Sequence, residues 1–122
     1  MRNVTPILFA CALATATVTP LQAQTVPDLT VAKDLLLPCQ EADNDPRDGF
    51  IAELECVSFI RGFMAAVDLS DLGKKICLPD ANRDDQVRRA FAQWVHGSFR
   101  KRGNMPVGDA ILEALNDKFP CG

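Results

Sequence analysis

Apolar residues between positions 50 and 69 recur at steps of three and four, which is the spacing of one face of an α-helix. This stripe comprises Phe50, Leu54, Val57, Ile60, Met64 and Val67. Ile51, Phe59 and Phe63 widen it until most of the helix circumference is apolar. We therefore predict a buried central helix around which the other segments pack. Gly62, in the middle of this helix, predicts either a point where another helix crosses closely or a weak spot that the helix tolerates.

A short helix is predicted before the central one, at residues 30–37. Thr30 is a favourable N-cap residue, and Pro38 disfavours continuation because proline lacks the backbone N–H that a helix interior requires. Residues 41–48 (EADNDPRD) are acidic and rich in turn-forming residues, so they predict a loop that leads into the central helix.

Two further helices are predicted in the second half of the chain. Asn82 is a preferred N-cap residue, and the helix after it is expected to run to the basic residues 100–102. Pro106 opens the last helix, which Pro120 ends. No stretch alternates apolar and polar residues for long enough to be a strand. The sequence thus predicts an all-α, four-helix domain around a central apolar helix.

Residues 1–23 have the layout of a secretory signal peptide. A basic residue, Arg2, precedes an apolar run at residues 7–18, and the segment ends in the small residue Ala23. The run is too short for a transmembrane anchor, which would be the competing interpretation. Cleavage after Ala23 would leave one exported domain, residues 24–122, in the periplasm with no remaining membrane segment.

Four cysteines remain after the expected cleavage, and they predict two disulfides that staple a small exported domain. Cys39 and Cys56 can meet if the loop between the first two helices folds back. Cys77 and Cys121 can meet if the last two helices form an antiparallel hairpin. Four cysteines allow three pairings, and this one keeps each bridge within a helix pair. A zinc site is disfavoured because the chain has no CxxC pair and a single histidine, His96.

The chemistry of a typical enzyme is missing from the chain. His96 is the only histidine that could act as a base, and no G-x-S-x-G, H-E-x-x-H or glycine-rich phosphate motif occurs. We therefore predict a non-enzymatic protein without a cofactor or metal.

The formal net charge of −3 is unevenly distributed, because acidic residues predominate up to position 71 and basic residues after it. No strong basic face favours nucleic acid. The asymmetry is typical of solvated helix surfaces, but a bipolar molecule could also dimerise or meet a charged protein partner.

Four short motifs occur in a fixed order: LLLPC at 35–39, CVSFIRG at 56–62, ICLP at 76–79 and FPC at 119–121. The ordered set resembles the Rap/Tai family of type VI secretion immunity proteins over nearly the whole mature chain. Besides the cysteines, the motif positions are Gly62, Pro79, Phe119 and Pro120. The chain departs from the family at Phe59, where tyrosine is frequent, and in the region of His96, where many members have histidine-proline.

The resemblance implies a periplasmic helical protein that binds a peptidoglycan amidase effector and blocks its catalytic cleft, commonly as a homodimer. The alternative is a periplasmic structural or stress-related domain, such as a small chaperone, without a toxin partner. Two polar segments flank the central helix and are the candidate partner contacts. Their charged residues are Glu41, Asp43, Asp45 and Asp48 in the first segment and Lys74 and Lys75 in the second.

Overall fold

The computed structural model describes residues 28–44 and 46–122, and within them the chain forms five α-helices and one 3₁₀ turn. The elements are α1 (Ala32–Asn44), α2 (Gly49–Asp68), the 3₁₀ turn (Asp71–Lys75), α3 (Arg83–Gly97), α4 (Phe99–Arg102) and α5 (Val107–Lys118). The all-α fold class is confirmed. The predicted signal peptide, residues 1–23, lies outside the described residues.

Helix α1 continues through Pro38 to Asn44, so the predicted end at Leu37 is wrong. Pro38 is buried, and the N–H that it lacks would have bonded to the carbonyl of Asp34. Packing of α1 along α2 stabilises the helix beyond this point. The beginning of the helix also differs, because the carboxylate of Asp34 accepts a hydrogen bond from the Val31 N–H at 3.1 Å. Residues 41–44, which were predicted to be part of a loop, belong to α1 instead, and the turn that connects α1 to α2 is short.

The predicted third helix is two helices, because the chain breaks at Ser98 (φ −155°, ψ 61°). Contacts between Arg102 and Trp94 hold α4 against α3. The Arg102 guanidinium lies 4.0 Å from the centre of the Trp94 ring and also donates to the Trp94 carbonyl. Asn82 occupies the predicted N-cap position of α3, but its side chain does not cap the helix. Asn82 has a left-handed backbone (φ 53°) and makes no side-chain capping bond.

The core lies between one side of α2 and helices α1, α3 and α5. Its largest fully buried side chains are Phe91, Leu35, Leu36, Ile60, Ile111 and Leu115. On α2 the buried side carries Ala52, Cys56, Ile60, Met64 and Val67.

The prediction that α2 is buried around most of its circumference is wrong at its first two turns. Phe50, Ile51 and Leu54 are 67%, 64% and 50% exposed. Helices α1 and α3 cover α2 from one side and leave the opposite side to solvent.

Two disulfides connect the pairs expected from the sequence. The Cα atoms of Cys39 and Cys56 are 5.0 Å apart and join α1 to α2. Those of Cys77 and Cys121 are 4.9 Å apart and tie the segment after the 3₁₀ turn to the segment after α5. Both separations lie in the normal range for disulfides.

A short antiparallel bridge between Ile76 and Pro120 accompanies the second disulfide. The Cys77 N–H donates to the Phe119 carbonyl at 2.9 Å, and the Cys121 N–H donates to the Lys75 carbonyl at 3.1 Å. The C-terminal segment is therefore held by backbone hydrogen bonds as well as by the disulfide. Within the described residues no helix is long and apolar enough to cross a membrane.

Candidate partner-binding surface

One solvent-exposed face of α2 carries mainly apolar and small side chains, with a single charged residue, Glu55, among them. We call it the outer face of α2, and its other residues are Ile51, Leu54, Ser58, Gly62, Ala65, Ala66 and Leu69. These residues recur at steps of three and four and place one continuous strip along the helix. From Ile51 to Leu69 the strip is roughly 27 Å long at 1.5 Å rise per residue.

Large apolar side chains stand at the two ends of the outer face, and small ones occupy its middle. Leu69 is 92% exposed, and Ile51 and Leu54 are also mostly or half exposed. A Cβ added at Gly62 would meet nothing within 4 Å, so the predicted close helix crossing at this glycine is wrong within the chain. The small centre instead offers space in which a second protein surface could approach the α2 backbone.

Charged residues of opposite sign mark the two ends of the outer face. Glu41 and Asp48 are exposed near the beginning of α2, while Lys74 and Lys75 are exposed on the 3₁₀ turn after its end. Lys74 is ion-paired with Asp71, its neighbour on the same turn. The acidic and basic candidate contacts thus lie at opposite ends of one apolar strip.

The other two candidate acidic contacts are Asp43 and Asp45. Asp43 belongs to α1, and its carboxylate is engaged by the Arg88 guanidinium of α3 at 2.8 and 3.2 Å. Any partner would have to compete with that intramolecular pair. Asp45 lies outside the described residues.

Arg88 is the one buried charged residue of the described chain, with 6% exposure. It also donates to the Cys39 carbonyl at 3.0 Å and to the Asp85 carboxylate at 2.8 Å. The hydrogen bond from Arg88 lowers the pKa of Asp43, and the bond to Asp43 raises the pKa of Arg88 in turn. This cluster fixes the C-terminal half of α1 against α3.

Two exposed ion pairs align α2 with the beginning of α3. The Arg83 guanidinium donates to both carboxylate oxygens of Asp68 at 2.9 and 2.6 Å, which lowers the pKa of Asp68. The Arg61 guanidinium meets Asp84 at 2.8 Å. Exposed pairs contribute little to stability, so we assign them an orienting role.

The motif positions differ in burial and in the part of the fold that carries them. Phe119 is half-buried and packs on the core, whereas Pro79 and Pro120 are exposed. Gly62 lies on the outer face of α2, far along the chain from the C-terminal bridge at Pro120. Within residues 28–44 and 46–122 no group of histidine, cysteine and acidic side chains is arranged to hold a metal.

The outer face is the feature that sequence reasoning missed. An apolar stretch with little polar interruption does not reveal which side faces solvent. The recurrence of Ser58, Gly62 and Ala65 on one side was the available signal, because these small residues contribute little to filling a core.

Comparison with protein families agrees with the ordered cysteine motifs. The model of the Rap1a immunity proteins matches residues 31–121, which include all five helices and both disulfides. No curated protein and no solved structure matched the chain. Because the match extends over well above half of the sequence, the chain belongs to the Rap1a immunity protein family.

Proposed function

We propose that this protein is a periplasmic immunity protein that binds a type VI secretion amidase effector and blocks its access to peptidoglycan. Membership of the Rap1a immunity protein family is the observation that carries the proposal. Two disulfides and the signal-like residues 1–23 support an exported location. Inhibition needs a rigid binding surface and no catalytic group of its own.

The effector is proposed to contact the charged segments at the ends of α2. Glu41 and Asp48 supply negative charge at one end, and Lys74 and Lys75 supply positive charge at the other. Charges at the rim of an interface steer association and select partners more than they add affinity. The rigid disulfides beside both segments limit the ordering cost of binding.

We further propose that the outer face of α2 pairs with the same face of a second copy. An antiparallel pair centred near Ile60 places Ile51 opposite Leu69, and it places Ser58 opposite Gly62. Large side chains then cover the ends while the small centre allows close approach. The same arrangement brings the acidic end of one copy beside Lys74 and Lys75 of the other. Each end of such a dimer offers an effector both predicted contact segments together.

Charge reversal tests the effector contacts. Lys74→Glu combined with Lys75→Glu should slow association with a cognate amidase, measured by surface plasmon resonance, and leave the circular dichroism spectrum of the folded chain unchanged. Lys101→Glu combined with Arg100→Glu is the matched control, because these exposed bases lie on α4. If the control pair slows association and the Lys74/Lys75 pair does not, the assigned segment is wrong.

Solution mass tests the dimer separately from the effector. Light scattering should give twice the chain mass for the native protein and the chain mass for Leu54→Glu, which places a charge in the paired face. Leu37→Glu is the control, because Leu37 is 61% exposed on α1. A native protein that is monomeric at high concentration would refute the pairing. If the outer face instead captures many unfolded chains, the chaperone-like alternative is favoured.

A further inference from the structure

Residues 69–82 form the connector between α2 and α3, and they include the 3₁₀ turn with Lys74 and Lys75. The two ends of the connector lie close together, because the Arg83 guanidinium donates to both carboxylate oxygens of Asp68 at 2.9 and 2.6 Å. The chain between these ends therefore leaves the helices and returns to nearly the same place. A surface loop of this kind keeps one position only if its own residues are anchored to the fold.

The anchor lies at Ile76 and Cys77, in the middle of the connector. The Cys77 N–H donates to the Phe119 carbonyl at 2.9 Å, and the Cys121 N–H donates to the Lys75 carbonyl at 3.1 Å. Ile76 lies at the edge of the core, since its 9% exposure is the highest among the buried apolar residues of the described chain. The disulfide beside it joins residues 44 positions apart. A cross-link over such a span restricts the chain more than two backbone hydrogen bonds do.

This anchor contains the accessible disulfide of the two. Cys77 is exposed and Cys121 is half-buried, whereas Cys39 and Cys56 are 1% and 0% exposed. Thiol–disulfide exchange begins when a thiolate attacks a sulfur that it can reach, and exposed disulfides are the labile ones. A thiolate can therefore act at Cys77 while the core between α1 and α2 stays closed.

We propose that the Cys77–Cys121 disulfide is an exchange site for a small monothiol and that its opening loosens the connector. The thiolate of the monothiol attacks the Cys77 sulfur and forms a mixed disulfide, and the Cys121 sulfur leaves as a thiolate that takes a proton from water. A second monothiol then attacks the sulfur of the first, which releases the Cys77 thiolate and a disulfide of the two monothiols. Two monothiols are oxidised, and one protein disulfide is reduced.

The state of this bridge also regulates the effector contacts, a part of the inference that rests on the proposed function. Lys75 is two residues from Cys77, so the anchor at Cys77 also positions Lys74 and Lys75 on the 3₁₀ turn. A partner that binds a loosened connector must first order it, and that ordering weakens binding. The oxidised protein is thus the form in which the contacts are in place, and opening of the bridge lowers affinity without unfolding the core.

Amide hydrogen exchange on the folded protein tests the loosening without an effector. Glutathione is the probe, at a concentration at which intact mass and peptide mapping show that only the Cys77–Cys121 bond is open. The amides of Cys77 and Cys121 should then exchange at least tenfold faster, because the bridge that protects them opens more often. The Ala32 amide is the internal control and should be unchanged, since it donates to the Met105 carbonyl at 2.9 Å in another part of the fold.

Cys77→Ser combined with Cys121→Ser gives a permanently open form for the binding test. Its dissociation constant for a cognate amidase should be about tenfold higher than that of the oxidised native protein. Surface plasmon resonance measures this ratio, and circular dichroism checks that the variant is folded. If the variant does not fold, the native protein opened by glutathione takes its place in the binding measurement.

Unchanged exchange of the Cys77 and Cys121 amides after the bond has opened would overturn the proposal. Equally faster exchange at Ala32 would also overturn it, because the whole fold rather than the connector would then be loosened. Equal amidase affinity of the open and oxidised forms would refute the regulation of the effector contacts. An amidase that does not bind even the oxidised protein would contradict the immunity proposal alone, since amide exchange still decides whether the bridge controls the connector.

Discussion

The guanidinium of Arg88 on α3 donates through Nη1 and Nη2 to the two carboxylate oxygens of Asp43 on α1, at 2.8 and 3.2 Å. The same guanidinium donates to the carbonyl of Cys39, the residue that follows Pro38 in α1. A single buried cation thus connects the disulfide-bearing part of α1 to α3. Asp43 itself is 65% exposed at its side chain, so the pair has one buried and one solvated partner.

Replacing Arg88 should destabilise the fold more than replacing its neighbour. Arg88→Met removes every hydrogen bond of the cluster and leaves the buried Cys39 carbonyl without this donor, at a cost of about 1–3 kcal/mol in the free energy of unfolding. Arg89→Met is the matched control, because Arg89 is 65% exposed and pairs only at the surface with Asp85. Urea unfolding of both variants measures the difference, and equal costs would contradict the role assigned to Arg88.

The Asp43–Arg88 pair should make stability depend on acid pH. Arg88 lowers the pKa of Asp43 below its ordinary value of 3.8, so the folded protein holds this proton less tightly than the unfolded chain. The stabilisation is therefore complete above about pH 4 and is lost as pH falls through the lower folded value. Asp43→Asn should cost about 0.5–1 kcal/mol at pH 7, given the exposure of the carboxylate. The gap between native protein and variant should close in acid; a gap that widened there would contradict this assignment.

Gly62→Ala should separate the chain's own stability from its self-association. Because nothing lies within 4 Å of the added Cβ, alanine should raise the free energy of unfolding of the monomer by about 0.5–1 kcal/mol through helix propensity. The same methyl group should weaken the proposed dimer, whose closest approach is at this position. Gly103→Ala is the contrasting control and should destabilise, since its Cβ would lie 2.7 Å from the Phe99 carbonyl oxygen. Chemical unfolding below the dimer dissociation constant tests the first effect.

The two disulfides should be reduced in a fixed order. Cys39 and Cys56 are 1% and 0% exposed, whereas Cys77 is exposed and Cys121 half-buried. A thiolate must reach the sulfur that it attacks, so the Cys77–Cys121 bond should open first under mild dithiothreitol. Backbone hydrogen bonds around Ile76 should keep the fold intact at that stage. Timed alkylation and peptide mapping measure the order, and earlier labelling of Cys39 would contradict it.

The helical class, the bounds of α2 and both cysteine pairings could be predicted from the sequence because they depend on strong local signals. Apolar periodicity marks α2, and of the three possible cysteine pairings this one keeps each bridge within a helix pair. The continuation of α1 through Pro38 could not be predicted in this way. It depends on contacts with α2 and on the Arg88 bond to Cys39, which are tertiary interactions that override local preference.

The candidate surface was predictable only at its charged ends. Glu41, Asp48, Lys74 and Lys75 are exposed as their polarity suggests, but the apolar strip between them was expected to be buried. Periodicity shows that residues share a helix face, whereas the position of neighbouring helices decides whether that face is covered. The predicted helix from Asn82 to residues 100–102 was expected to be continuous for a related reason, since its break at Ser98 accompanies the packing of Arg102 against Trp94.

Inhibition of a cognate amidase is the most direct test of the proposed immunity function. The measurement is the rate of peptidoglycan hydrolysis by a type VI amidase effector encoded beside this protein, with increasing amounts of the purified, disulfide-bonded chain. The proposed function predicts that hydrolysis stops at a stoichiometric ratio and that a stable complex co-elutes on gel filtration. Undiminished hydrolysis in the presence of excess folded protein, with no complex formed, would contradict it.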